Sequence, residues 1–224
     1  MTEEAASGPF RVLLVRPAAT YSRIDFPDGP RVGMPLGLLY IASAFRDDPG
    51  YETGILDALA YPDLDTVRQQ RGRVRFGQSL AETLAEVVRQ NPALVGVTCG
   101  AREFLDDCVD TVEAIRRALP ETFIVAGGCD ASSQPETYLQ RAPGLDVAVV
   151  GEGEVTLRQL ADRLRSKESW KDVSGIAYRD GGEIRRNPAQ EWIRDLDAYQ
   201  PDFSTIDLER YFRLNAEGFR SRGT

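Results

Sequence analysis

Continuous apolar runs alternate with helical stripes along most of this chain. Val12-Leu13-Leu14-Val15, Gly54-Ile55-Leu56, Leu94-Val95-Gly96-Val97, Phe123-Ile124-Val125-Ala126 and Val147-Ala148-Val149-Val150 lack the polar alternation of a half-exposed strand. Strands buried on both faces read this way, and they belong to parallel sheets covered by helices. Between them, Leu36 to Phe45 reads as a helix with Pro35 near its start. Leu80, Leu84, Val87 and Val88 form an apolar stripe behind Ser79, a candidate N-cap. Phe104, Leu105, Cys108, Val112, Ile115 and Leu119 form a second stripe, stopped by Pro120; Leu157, Leu160, Ala161 and Leu164 form a third. The fold class is α/β, with strands over about 11–15, 52–56, 94–97, 123–126 and 147–150.

Three stretches depart from that rhythm. Residues 1–9 read as a disordered leader, Pro17 to Pro35 as an ordered loop, and Tyr61 to Gly77 as irregular with room for one short helix. After Val173 the pattern becomes a hairpin, with Gly175 to Arg179 and Glu183 to Arg186 flanking Asp180-Gly181-Gly182. Beyond Asn187-Pro188 the chain reads as mostly extended and acidic, with Trp192, Leu196, Phe203 and Phe212 scattered through it. That segment is too apolar for a free linker, so it is expected to pack on the sheet domain or on a neighbour.

The strand ends carry the candidate chemistry, because open α/β sheets bind ligands at the carboxyl ends of their strands. Those ends read Arg16-Pro17, Asp57, Thr98-Cys99-Gly100, Gly127-Gly128-Cys129-Asp130 and Gly151-Glu152-Gly153-Glu154. Gly127-Gly128 admits a close ligand approach or a tight turn. Gly151 to Glu154 opens a helix and offers amides to an anion, although its two glutamates oppose one. It fails as a dinucleotide fingerprint, since Thr156 replaces the third glycine and the strand is a late one. The Thr98 hydroxyl can bond a ligand or cap its loop. Asp57 also admits a phospho-receiver reading, which needs further acids and a late lysine; Lys167 and Lys171 follow the last sheet helix. Cys99 and Cys129 sit at strand ends, beside a ligand or as buried thiols, and Cys108 lies on a buried stripe. The three lack zinc or iron–sulfur spacing.

Composition narrows the classes. A formal net charge of −8 gives no basic face for nucleic acid. Arg68, Arg71, Arg73 and Arg75 read as a solvated loop, with phosphate or partner docking as the alternative. The 224 residues include no histidine, which excludes a Ser-His-Asp triad, a Cys-His pair and imidazole ligation from this chain. No apolar run is long enough for a bilayer, the amino terminus lacks a signal-peptide core, and three cysteines suit a reducing compartment. Cytoplasmic residence is expected.

Taken in order, these segments resemble the N-terminal cobalamin (B12)-binding domain of B12-dependent radical SAM enzymes. The resemblance rests on Val12 to Pro17, Pro35-Leu36-Gly37-Leu38-Leu39-Tyr40-Ile41-Ala42, Ile55-Leu56-Asp57-Ala58, Val95 to Thr98 and Ile124 to Gly128. Gly151-Glu152-Gly153-Glu154-Val155-Thr156-Leu157, Gly175 to Arg179 with Asn187-Pro188, and Asp195-Leu196-Asp197 complete it. It implies a Rossmann-like (flavodoxin-like) parallel sheet with helices on both faces, plus a C-terminal β-hairpin and an extended connector. It implies base-off cobalamin with the corrin across the carboxyl edge. Thr98, Gly127 and Gly128 match tail-binding positions, and Gly151 to Glu154 match the corrin-edge loop. The Asp-x-His-x-x-Gly loop of the wider fold corresponds to Asp57-Ala58-Leu59-Ala60-Tyr61-Pro62, with Leu59 in the histidine position. No imidazole would then lie under the cobalt, and Leu59, Tyr61, Cys99 and Arg102 are candidates for the lower face.

The cofactor-binding set is therefore Pro17, Asp57, Leu59, Thr98, Cys99, Gly127, Gly128, Cys129, Asp130, Gly151, Glu152, Gly153 and Glu154; no residue is singled out as catalytic or as a metal ligand. The expected organisation is a leader over 1–9, the cobalamin-binding domain over 10–170, the hairpin over 171–187 and the connector over 188–224. The family continues through Ser-Arg-Gly into Cys-x-x-x-Cys-x-x-Cys, whereas this sequence ends at Ser221-Arg222-Gly223-Thr224. A radical SAM domain or subunit is therefore the expected partner. It would hold S-adenosylmethionine and a 4Fe–4S cluster, with a small-molecule substrate and neither nucleic acid nor membrane. The resemblance implies methyl transfer to a substrate radical, a cycle this chain would not complete alone. A cobalamin carrier or sensor, or a cofactor-free interaction module, is the alternative.

Overall fold

The computed structural model describes residues 8–22, 32–61, 69–70 and 73–220. The strands are β1 (Phe10–Arg16), β2 (Ala19–Ser22), β3 (Tyr51–Asp57), β4 (Gln69–Gln70), β5 (Arg73–Phe76), β6 (Leu94–Thr98), β7 (Phe123–Gly127), β8 (Val147–Val149), β9 (Ile176–Asp180) and β10 (Glu183–Arg186). The helices are α1 (Leu36–Ser43), α2 (Leu80–Gln90), α3 (Leu105–Ala118), α4 (Cys129–Ser133), α5 (Pro135–Arg141), α6 (Gly153–Arg165) and α7 (Leu208–Arg220).

The main sheet has seven strands in the order β10-β9-β8-β7-β6-β1-β3. The run from β3 to β8 is parallel, and β9 and β10 extend it antiparallel. All five apolar runs became parallel strands. In β1, Val12 and Leu14 pack on one face with Leu38 of α1 and Leu157 and Leu160 of α6. Leu13 and Val15 pack on the other with Val87 of α2, Val112 and Ile115 of α3 and Tyr138 of α5. Burial on both faces is why the run shows no alternation. The chain moves outward from β1 in both directions, to β3 on one side and to β6, β7 and β8 on the other. That is a topological switch point, with its crevice at the carboxyl ends.

Local signals set several boundaries. The Ser79 hydroxyl accepts from the Glu82 amide at 3.2 Å, and Glu82 returns a bond to the Ser79 amide at 2.8 Å, a complete capping box. Ser79→Ala should destabilise the domain by about 1 kcal/mol, read as a fall of roughly 2–4 °C in the unfolding midpoint. The hairpin turns on Gly181 and Gly182, both at positive φ, which a type I′ turn requires.

Three expectations are corrected. The stretch after β1 is not all loop, and the stretch before α2 is not irregular. β2, β5 and β4 form a small antiparallel sheet, while residues 23–31 and 62–68 lie outside the described residues. Thr20 explains its position: its amide and hydroxyl both donate to the buried Asp107 of α3, each at 2.8 Å. Arg75 lies 3.6 Å from the same carboxylate, so this arginine is paired rather than solvated. Burial raises the Asp107 pKa, with the Thr20 and Arg75 contacts opposing the rise. Tyr21 meets Phe76 and Phe104 edge-on at 5.7 and 5.0 Å, standing the small sheet beside the carboxyl edge. Arg68 and Arg71, like residues 1–7 of the expected leader, lie outside the described residues.

The third correction concerns the connector, which ends in helix α7 rather than staying extended. Asp207 accepts from the Arg210 amide at 3.3 Å at its start, and Tyr211 and Leu214 pack inward on Val32 and Ala60. Two earlier tethers hold the connector to the sheet domain. The Ile193 amide donates to Glu152 at 2.7 Å, and the Asp202 amide donates to the Leu39 carbonyl at 3.0 Å.

Candidate functional site

Two hollows adjoin at the switch point. A cavity of about 360 Å³ lies at the carboxyl edge, bordered by Arg16, Pro17, Tyr21, Met34, Leu59 and Cys99. A groove of about 220 Å³ runs down one face of the sheet between α1 and α6. Its floor is Gly96, Thr98, Val125 and Gly127, and its walls include Leu38, Ile41 and Leu157. Gly37, Leu38 and Thr98 border both spaces, so the two lie side by side.

Glycine keeps the groove open. A Cβ built on Gly37 or Gly151 would meet no atom within 4 Å, and one on Gly127 would meet only the Val149 Cβ at 3.9 Å. Gly127 is the one of the three on the groove floor, where an added side chain would take up space. Gly128 has a different reason for being glycine. Its φ is +102°, and a Cβ there would lie 2.5 Å from the Cys99 carbonyl oxygen. Gly127 therefore opens a space while Gly128 makes a turn, so the pair serves both roles.

The sequence-derived residues fall into three groups. Pro17, Leu59, Thr98 and Cys99 border the edge cavity. Thr98, Gly127, Gly128 and the turn from Gly151 to Glu154 border the groove. Asp57, Cys129 and Asp130 border neither hollow. Asp57 is 3% exposed, accepts from Arg16 Nε at 2.7 Å, Arg16 Nη2 at 2.5 Å and the Tyr211 hydroxyl at 2.7 Å. Those bonds commit its carboxylate internally, which leaves a phospho-receiver reading without an open acceptor. Asp130 accepts from the Tyr138 hydroxyl at 2.6 Å. Of the lower-face candidates, Leu59 and Cys99 border the edge cavity, and Tyr61 and Arg102 do not.

Of the two strand-end thiols only one is buried, so the reading of both as buried is corrected. Cys99 is buried beside Cys108, while Cys129 is exposed. A hydrogen bond from Cys108 lowers the Cys99 pKa, and the same contact together with burial raises that of Cys108. Glu152 is held by the Ile193 amide, and burial raises the pKa of Glu154. The two glutamates at the groove mouth thus differ: one is tied to the connector, and the other is held toward its neutral form. Sequence reading missed Gly37, Gly96, Ile41 and Leu157. Gly96 carried a usable signal, since a glycine within a strand marks close backbone approach.

Residues 30–161 match the family model described as the B12 binding domain. The chain belongs to the B12-binding domain family. This B12-binding domain is 29% identical over 204 residues to an uncharacterized methyltransferase of Pyrococcus horikoshii, covering 90% of this chain and 40% of that protein. It is 30% identical to the anaerobic magnesium-protoporphyrin IX monomethyl ester cyclase of Synechocystis, covering 90% of this chain and 37% of the cyclase. The domain thus spans about two fifths of these relatives' lengths. In fold it is similar to the cobalamin-dependent S-adenosylmethionine radical enzyme OxsB with aqua-cobalamin and S-adenosylmethionine bound, at a TM-score of 0.68 and 21% identity. That superposition covers 92% of this chain and 25% of OxsB. Among the described residues, no helix of the B12-binding domain is long and apolar enough to cross a membrane.

Proposed function

We propose that this chain binds cobalamin base-off, with the nucleotide tail in the glycine-lined groove and the corrin over the carboxyl-edge cavity. The observation that carries this reading is the adjacency of the two hollows, which share Gly37, Leu38 and Thr98, inside a chain of the B12-binding family. A flat macrocycle with a long appended tail needs such a shape: a broad rim and a narrow slot leading from it. Gly127, Thr98, Leu38 and Leu157 would receive the tail, and the rim from Arg16 to Leu59 would border the corrin. When bound, cobalamin supplies a cobalt centre that carries a methyl group. The chain's own part is to bind the tail, fix the ring's orientation and keep water out of the groove. With no histidine in the 224 residues, the chain offers the lower face no imidazole.

The reaction served is proposed to be radical-dependent methyl transfer, performed with a radical SAM domain or subunit. Supporting this, the relatives extend well beyond the matched region, and one of them is described as a methyltransferase. Trp192, Leu196 and Phe212 expose 78%, 64% and 65% of their surface, an apolar set suited to such a neighbour. Purified protein incubated with hydroxocobalamin should keep the corrin absorbance through a desalting column. Colourless protein after that step would overturn the reading.

A further inference from the structure

Residues Val32 to Pro35 form one wall of the carboxyl-edge cavity. The Arg16 guanidinium ties that wall to the sheet: its Nη2 donates to the Gly33 carbonyl at 2.8 Å while the same side chain forks onto Asp57. A planar fork can serve a carboxylate and a carbonyl together only while the carboxylate stays in place. Two further donors fix the carboxylate. The Leu59 amide reaches Oδ1 at 3.0 Å, and the Tyr211 hydroxyl reaches Oδ2 at 2.7 Å. Tyr211 comes from α7, is 4% exposed and does not border the cavity. Its neighbour Arg210 strengthens the docking, donating from Nε to the Ala60 carbonyl at 2.6 Å and lying 3.2 Å over the Tyr61 ring. A bonded line thus runs from α7 through Asp57 and Arg16 to Gly33. Its longest step in sequence, from Tyr211 to Asp57, crosses 154 positions.

We propose that Tyr211 is a positioning residue for the cofactor: by bonding Asp57 it sets the Arg16 fork that holds the Val32–Pro35 wall, so that docked α7 tightens corrin binding. This rests on the cobalamin reading above. The Tyr211 ring also packs on Val32, so the part carried by its hydroxyl through Asp57 and Arg16 is expected to be modest. Removing the hydroxyl leaves the buried carboxylate short of a donor, and Arg16, which bonds both that carboxylate and the Gly33 carbonyl, is the side chain placed to re-aim toward it.

The test uses the full chain, Tyr211→Phe, and two probes: hydroxocobalamin and cobinamide, which lacks the nucleotide tail. Tyr211→Phe should bind both about fivefold more weakly, because the wall it steadies borders the ring and not the tail. Amide exchange at Val32–Met34 should quicken in the same variant without any corrinoid. If Tyr211→Phe lowers only the unfolding midpoint, with affinity and exchange unchanged, the inference is wrong while the cobalamin reading stands. If the wild-type chain binds neither probe, the cobalamin reading falls and takes this inference with it. Should Tyr211→Phe not fold, Arg210→Gln loosens α7 from outside the Asp57 cluster. It should shift both readouts in the same direction, and wild-type values would overturn the inference.

Discussion

Replacing Gly127 with leucine is expected to abolish cobalamin retention while leaving the fold intact. Gly127 ends β7 on the groove face, two residues after Val125, which lies on the same floor. Its backbone is not in the left-handed region, and the nearest atom to a new Cβ would be the Val149 Cβ at 3.9 Å. A leucine is therefore tolerated by the chain and fills the slot instead. In a groove of about 220 Å³, four added carbons remove much of the space open to a nucleotide tail. Displacing that tail should weaken hydroxocobalamin binding at least about a hundredfold, near 2.7 kcal/mol. Cobinamide, with no tail to seat, should bind within a factor of about two of wild type, since its ring contacts lie elsewhere. Spectrophotometric titration with both compounds checks this. Equal binding of hydroxocobalamin by the two proteins would move the tail out of the groove.

Gly128→Ala should act on stability instead. At φ +102° and ψ 176°, Gly128 occupies a region that is essentially closed to residues with a side chain. A Cβ would meet the Cys99 carbonyl oxygen at 2.5 Å and the Thr98 hydroxyl at 3.0 Å. Neither neighbour yields easily, because the Cys99 amide is bonded to the Gly127 carbonyl at 2.8 Å, which ties the ends of β6 and β7 together. Strain and overlap together should destabilise the domain by about 3 kcal/mol, a fall of roughly 6–12 °C in the unfolding midpoint. Thermal unfolding followed by circular dichroism reads it directly. A midpoint within a degree of wild type would mean that the turn can adopt another conformation.

These two adjacent glycines show what the sequence could and could not convey. Both are equally visible as letters after an apolar strand. Only the backbone angle and the surrounding atoms separate an opening from a turn. The parallel strands were legible because β1, β6, β7 and β8 are buried on both sides, which forces continuous apolar runs. α2, α3 and α6 were legible because each has a long one-sided stripe. α4 and α5 span five and seven residues, too short for a stripe to repeat, so nothing in their composition stood out. The small sheet of β2, β5 and β4 was hidden for another reason. Its placement depends on Thr20 meeting Asp107, 87 residues away, and no local pattern encodes that. The same limit applied to Asp57. Its position at a strand end suggested a ligand contact, but the hydroxyl of Tyr211, 154 residues further on, binds the carboxylate.

The two antiparallel strands at the end of the sheet settle a question of parity. β9 starts beside Val149 and runs back against the parallel set, and β10 reverses it, so Arg186 lies opposite Ala177. One added strand would release the chain at the amino-terminal rim, on the far side from both hollows. Two added strands return it to the rim where β1 and β6 end. The pair thus works as a spacer of even count, displacing the exit point sideways along the sheet without changing the level at which the polypeptide leaves it.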